Sequence, residues 1–372
     1  MTQINWKTWP RLVAYLNRAV DLETTACAAG LLQRRRQVRS ASDLLRLALA
    51  YGPGGQSLRE TACWAELQGL ATLSATALLY QLRDASDWLE DVALQLLEHG
   101  LATEKAMPTS VRPVRLIDGS IISLPGGKDG WRLHATYDLV AERFCGFQLT
   151  GKDKAEGLER GALEARALHI GDRVYARPGG LRHLVESDGD FLVRLGVRSL
   201  RLLDAQGKYV DLATVVDHAK AGKPVDMHVI VDRHSKRVGS IAKRQADWVP
   251  VPARLVILPK PAEAAAQSRK KAARSSQQGM HQLQPGTLKV ADHLILLTSL
   301  GTDDATPDQL MQLYRKRWQI EIAFKRLKSL IRIDRLPAKE PRLAKAWLCA
   351  HLILAILIDA ITPHLRDSPP SA

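Results

Sequence analysis

A chain of 372 residues, 46% hydrophobic and 25% charged, has material for two or three domains with an ample core, which excludes a disordered linker or tail. Its net charge of +14 and pI near 9.8 favour a polyanionic partner over a cationic one. Cys27, Cys63, Cys145 and Cys349 are scattered without a disulfide framework, and no His or Cys cluster has zinc-ligand spacing.

In chain order, helical patterning comes first. Segments Trp9 to Val20, Ser42 to Ala50, Ser57 to Leu67 and Ser74 to Arg83 read as helices, with a capping box at Ser57 and Glu60. Ser57 to Arg83, broken at Gly69, has the length of a helix-turn-helix; an ordinary helical bundle accounts for it equally well. Arg34 to Arg36 with Arg39 form the most obvious phosphate-contact patch of this part.

Strand patterning follows. Val114 to Ser120 is an apolar run ending in Asp118 and Gly119, readable as a strand edge or as a turn. Trp131 to Leu139 and Glu142 to Thr150 continue a three-stranded meander, and Leu158 to His169 is expected to be a helix. Asp172 comes next, then Asp188 and Asp190 in a polar turn ahead of the strand Phe191 to Leu195. Arg201 to Leu212, Asp226 to Arg233 and Val251 to Leu258 are strand-like, and Ser268 to Arg274 is a basic run suited to a solvated helix end, a linker or a DNA-backbone contact. His293 to Leu300 reads as a buried strand.

Tyr314 to Lys328 carries the strongest signal. On one helix at about 100° per residue, Tyr314, Arg317, Glu321, Lys325 and Lys328 fall within an arc of roughly 80°. Leu313, Ile320, Phe324 and Leu327 form an apolar stripe beside it. A Glu placed four residues before a Lys is an ordinary stabilising pair, but the excess of cations on this face suits a phosphate-bearing ligand. Trp347 to Ile361, interrupted by His351 and Asp359, is too short to span a membrane comfortably and reads as a buried C-terminal helix. No secretory signal is expected.

Tyr314, Arg317, Glu321 and Lys328 resemble the YREK signature of bacterial insertion-sequence transposases of the IS-four type, which use a DDE triad. The resemblance, running from about Ser40 to Ile361, implies an α/β fold: a ribonuclease H-like catalytic core over residues 107–345 with a mostly β insertion at about 200–290. A helical DNA-binding domain over 1–106 would precede it, and 346–372 would pack on the core as a C-terminal helix. It implies two upstream aspartates, Asp118 on the first strand and Asp172 in a stretch resembling the family's Asp-Arg-any-Tyr motif, with Asp188 and Asp190 as rivals. It also implies a stacking tryptophan where this sequence has Leu294, a departure from the transposon-five type.

The implied chemistry is cut-and-paste transposition. Asp118, Asp172 and Glu321 would be catalytic and would hold two Mg²⁺ ions, for which Mn²⁺ can substitute; Tyr314, Arg317 and Lys328 would grip DNA, as would Lys325, which the helical geometry alone adds. Hard cations about 4 Å apart take carboxylate ligands and clamp the attacking and leaving oxygens of a phosphodiester. No Walker-type loop or Gly-x-Ser-x-Gly elbow competes with that reading. The partners would be double-stranded DNA, at the terminal inverted repeats and in the target, and a second copy of the chain. The setting would be the bacterial cytoplasm, at the nucleoid, with no membrane. A transposase-derived binding protein without catalysis, or a nuclease without strand transfer, shares the same site residues.

Overall fold

The computed structural model describes residues 9–32, 37–102, 112–126, 129–160, 164–196, 200–220, 223–232, 249–278, 285–330, 333, 336–337 and 339–366. Arg34 to Arg36 of the basic cluster lie outside them. Six helices come first: α1 (Trp9–Ala19), α2 (Leu22–Ala28), α3 (Ala41–Tyr51), α4 (Leu58–Leu67), α5 (Ala75–Asp84) and α6 (Ser86–Ala102). Side-chain caps fix their starts, with Asp21, Ser40, Ser57 and Ser74 each accepting from a backbone N–H of the first turn and Glu60 completing the box at Ser57. The α4–α5 connection reverses at Gly69, whose φ of 65° favours glycine; Leu70 N–H closes back on the Ala65 carbonyl at 2.9 Å.

Strands β1 (Val114–Ser123), β2 (Gly130–Asp138), β3 (Arg143–Gly151), β4 (Leu168–Gly171) and β5 (Asp190–Arg194) follow, with α7 (Pro178–Glu186) between the last two. Then come β6 (Arg201–Leu203), α8 (Leu212–Val215), β7 (Val225–Asp232), β8 (Val251–Pro259), α9 (Ala262–Gln278), α10 (Pro285–Ala291) and β9 (His293–Thr298). Helices α11 (Pro307–Lys316), α12 (Trp318–Leu330) and α13 (Pro341–Arg366) end the described chain. All the strands form one nine-stranded sheet in the order β3-β2-β1-β4-β5-β9-β8-β7-β6. Its β3-β2-β1 part is antiparallel, β1-β4-β5 is parallel, and β5 to β6 runs antiparallel again.

Alternation along the strands divides the core into two layers. Leu116, Ile170, Leu192, Val256 and Leu296 face a layer shared with the N-terminal helices, α12 and α13. Ile117, Phe191, Val193, Leu255, Ile257, Ile295 and Leu297 face the other, with Leu181 and Leu184 of α7 and Leu212 of α8. Helix α13 is apolar and long enough to cross a membrane by length and composition, but most of its apolar window is buried, and it packs on α3, α5 and α6. His351 within it is buried and bonded to the Trp347 carbonyl at 2.8 Å.

The structure departs from the sequence reading over 158–169 and 201–212. The described part of 158–169 contains no helix: turns lead into β4, whose Leu168 and Ile170 are buried on the sheet, and a short buried apolar run does not distinguish strand from helix by periodicity. Asp118 and Gly119 lie within β1 and pair with Ala135 and His134, in keeping with the strand reading rather than the turn. Arg201 to Leu212 is not one strand; Asp204 accepts from the amides of Gln206 and Lys208 at 2.9 Å and turns the chain at Gly207. The strands after residue 200 extend the same sheet, and they are joined by a 17-residue helix, α9.

Candidate active site

β1 and β4 run parallel, with Val114 opposite Leu168, Arg115 opposite His169 and Leu116 opposite Ile170. Continued along both strands, that register sets Asp118 opposite Asp172, so two carboxylates leave the same edge of neighbouring strands. Asp118 accepts from the Gly119 amide at 2.9 Å. Burial pushes its carboxyl up to about 6; the Gly119 amide and the Arg317 guanidinium oppose that rise, and the Asp172 and Glu156 carboxylates reinforce it. Asp172 caps a short 3₁₀ turn by accepting from Val174 N–H at 2.7 Å. In the same turn Tyr175 is buried, and its phenol is raised by burial first and then by Glu156, Asp118 and Asp172.

The rival aspartates stand elsewhere. Asp190 opens β5 opposite Leu168, at the far end of the parallel strands, where it takes Arg112 at 2.5 Å and the Ser299 hydroxyl at 2.6 Å. Asp188 occupies the preceding turn with φ of 58°.

Glu321 comes from α12, which packs across β1. Arg317 donates to its carboxylate, and the same guanidinium lies against the Tyr314 hydroxyl and near Asp118. The expected continuous helix is interrupted here: Arg317 N–H bonds the Tyr314 carbonyl at 3.1 Å and Ile320 N–H bonds the Arg317 carbonyl at 3.3 Å, a tightened 3₁₀ turn that divides α11 from α12. Buried Ile320 and Phe324 dock α12 on the core; the Leu327 side chain lies outside the described set. Lys325 is exposed, with its ammonium 5.5 Å from the Trp318 ring centroid, and Lys328 is half-buried on the last turn. Arg317 thus faces Asp118 while bonded to Tyr314 and Glu321, whereas Lys325 pairs with an aromatic ring.

Two neighbours of the acids went unread in the sequence. Glu156, in the loop after β3, comes so near that a Cβ on Gly119 would lie 2.8 Å from its carboxyl carbon; Arg132 of β2 pairs with it, and both side chains are only 15% exposed. Nothing in the polar stretch Lys152 to Arg160 marks Glu156, because its place depends on the loop folding back over β1. Arg194 ends β5 one step past the Gly171 to Val193 pair, level with Asp172, and its charge reaches both Tyr314 and Lys260. A cation closing an apolar strand is the one signal that could have found it.

A donor set of carboxylates alone suits a hard divalent cation. Asp172 and Glu156 raise the Asp118 carboxyl and Arg317 opposes them; a bound cation would act in the same sense as Arg317. Among the described residues no three His, Cys, Asp or Glu side chains are gathered closely enough to hold a metal as they stand. Glu321 is meanwhile engaged by Arg317.

A mixed α/β sheet with Asp118 and Asp172 at one strand edge, and α12 packed across β1, sets an acidic centre beside the Arg317 guanidinium. Residues 109–357 match the model of the Transposase DDE domain family. The chain is 42% identical over 365 residues, covering 97% of its length and 96% of the relative's, to the putative transposase InsL for insertion sequence element IS186A of Escherichia coli (strain K12). It is also 42% identical over 366 residues, with the same coverage, to the transposase for insertion sequence element IS421 of Escherichia coli. The chain belongs to the DDE transposase family, metal-dependent enzymes that cleave DNA and transfer its strands.

Proposed function

We propose that this transposase moves an insertion sequence by cutting at its ends and joining the freed 3′ ends to target DNA, with Asp118, Asp172 and Glu321 as the catalytic carboxylates. The observation that supports the assignment is the β1–β4 register which, continued past Leu116 and Ile170, brings Asp118 level with Asp172, with Arg317 near Asp118 and bonded to Glu321 of α12. The three carboxylates would hold two Mg²⁺ ions per site. When bound, these ions supply Lewis acidity to the attacking and leaving oxygens. Arg317 and Tyr314 orient the scissile phosphate, Lys328 and Lys325 grip the backbone further along α12, and Arg132 holds Glu156 against the Asp118 strand.

The antiparallel β3-β2-β1 meander continued by parallel β4 and β5 supports a ribonuclease H-like core, within a catalytic domain spanning 107–345. The six successive helices α1 to α6, capped at α2 to α5, support a helical unit over 1–106 for end recognition, with 346–372 packed on the core. Joining two ends requires two active sites, so the working form on double-stranded DNA is a homodimer, acting at the nucleoid in the cytoplasm.

The test is a reaction of purified protein with a plasmid carrying the flanking terminal repeats, run with Mg²⁺, with EDTA, and with Glu321→Gln. End cleavage and joined products that need metal and vanish in the variant are expected. Cleavage without joining would reduce the reading to a nuclease, binding without cleavage to a DNA-binding protein, and loss of DNA binding by Glu321→Gln would overturn the ligand role.

A further inference from the structure

Helix α9 takes no part in the site described above. It leaves the sheet at the catalytic edge: Pro259 at the end of β8 pairs with His293, and β9 pairs with β5, whose Arg194 is level with Asp172. Its root is fixed by polar contacts. Lys260 donates to the Ser268 hydroxyl at 2.9 Å and the Ala291 carbonyl at 2.6 Å, and Arg269 pairs with Asp292 at 2.6 Å. The inner face is small: Ala265 is buried, and Ala264, Ser268, Ala272 and Ala273 are half-buried.

The outer face has another character. Gln267, Lys270, Lys271, Arg274 and Gln278 are all exposed and lie within an arc of about 100°. Glu263, at the start of the helix, is its only acid, two turns before Lys270. Among the described residues no carboxylate forms an ion pair with Lys270, Lys271 or Arg274. Lys270 and Arg274, four residues apart on one helix, repel each other, and a polyanion against this face would relieve that repulsion. The face has no aromatic side chain on which unpaired bases could stack and no apolar residue to enter a lipid surface, so the backbone of a duplex fits it best. At 1.5 Å per residue these cations stand roughly 12–18 Å along α9 from its root, within one turn of duplex DNA of about 34 Å.

We propose that the outer face of α9, through Lys270, Lys271 and Arg274, grips the phosphate backbone of the duplex lying against the catalytic edge, without reading its sequence. This surface rests on the transposase reading above.

The test measures binding of the full chain, wild type and Lys270→Gln/Lys271→Gln/Arg274→Gln, to a random duplex and to one bearing the terminal repeat, in EDTA across a salt series. Each lost phosphate contact removes about 0.9 from the slope of log K against log salt, so the triple variant should lose 2–3 of that slope, and roughly 10- to 100-fold in affinity at about 0.15 M salt, on both duplexes alike. Lys270→Arg/Lys271→Arg should bind as wild type, and matching circular dichroism would exclude loss of the helix. An unchanged slope in a triple variant, with wild type binding normally, overturns the proposal, as does a loss confined to the terminal-repeat duplex. If wild type binds neither duplex, the transposase reading falls and this surface with it.

Discussion

The Arg317 guanidinium is paired with the Glu321 carboxylate one turn along α12 and at the same time faces Asp118. One cation therefore sits where three acids are expected to share a metal, and it competes with that metal for Glu321. Replacing Arg317 by Gln should leave Mn²⁺ binding to the DNA-free protein as tight or tighter, measured by electron paramagnetic resonance titration. End cleavage should fall by about 10²-fold or more, because the phosphate loses a charged partner. Glu321→Gln should lose both. If Arg317→Gln weakened metal binding as much as Glu321→Gln does, Arg317 would be a support for Glu321 rather than its competitor.

Asp118 gives a pH dependence of definite sign. Its folded carboxyl is raised to about 6 from an ordinary value of 3.8, first by burial. Between those values the folded chain binds the extra proton, so stability is full below the unfolded value and is lost as pH rises through 6. At pH 7–8, without metal, Asp118→Asn should therefore stabilise the protein by about 1–3 kcal/mol, a gain that vanishes at about pH 4. Thermal melts in EDTA across that range check it. A variant less stable than wild type at pH 8 would show that Asp118 is better satisfied in the fold than its burial implies.

Gly119 lies in extended β1, and its requirement is space rather than an unusual backbone angle. A methyl group there would meet the Glu156 side chain at 2.8 Å, and Glu156 is held by Arg132. Gly119→Ala should therefore displace Glu156 and cut end cleavage by roughly tenfold or more while unfolding stability changes by less than about 1 kcal/mol. Parallel cleavage and urea-unfolding measurements decide the matter; equal losses in both would point to a general packing defect.

Glu321 stands out in the sequence because Tyr314, Arg317 and Lys328 flank it at fixed offsets, and the capping box at Ser57 and Glu60 was legible because capping chemistry is local. Glu156, Arg132 and Arg194 were not, since each reaches the site only through a loop closure or a strand register that no short window encodes. The helix expected over 158–169 failed for a related reason: β4 is four residues long and buried between two strands, too short for its period to show. The turn at Arg317 was hidden because neither glycine nor proline marks it.

Arg254 ties β7 and β8 to the chain that leads into α11 and α12. It is 2% exposed; its Nε and Nη2 meet Asp226 at 2.7 and 2.6 Å, and its Nη1 donates to the Gly301 and Ala305 carbonyls at 2.8 and 2.6 Å. Arg254→Leu would leave two carbonyls without a donor and Asp226 without its counter-charge. Breaking a buried pair on one side costs about 3–5 kcal/mol, and because Asp226 is 27% exposed and can recover water, about 2–4 kcal/mol is expected in urea unfolding. Arg254→Leu/Asp226→Leu should recover part of that loss, since no charge is then stranded. Neither variant should recover full cleavage: the Gly301 to Ala305 segment runs directly into α11, and loosening it moves Tyr314 and Arg317 away from Asp118. A double variant with restored stability and wild-type cleavage would show that Arg254 serves the fold alone.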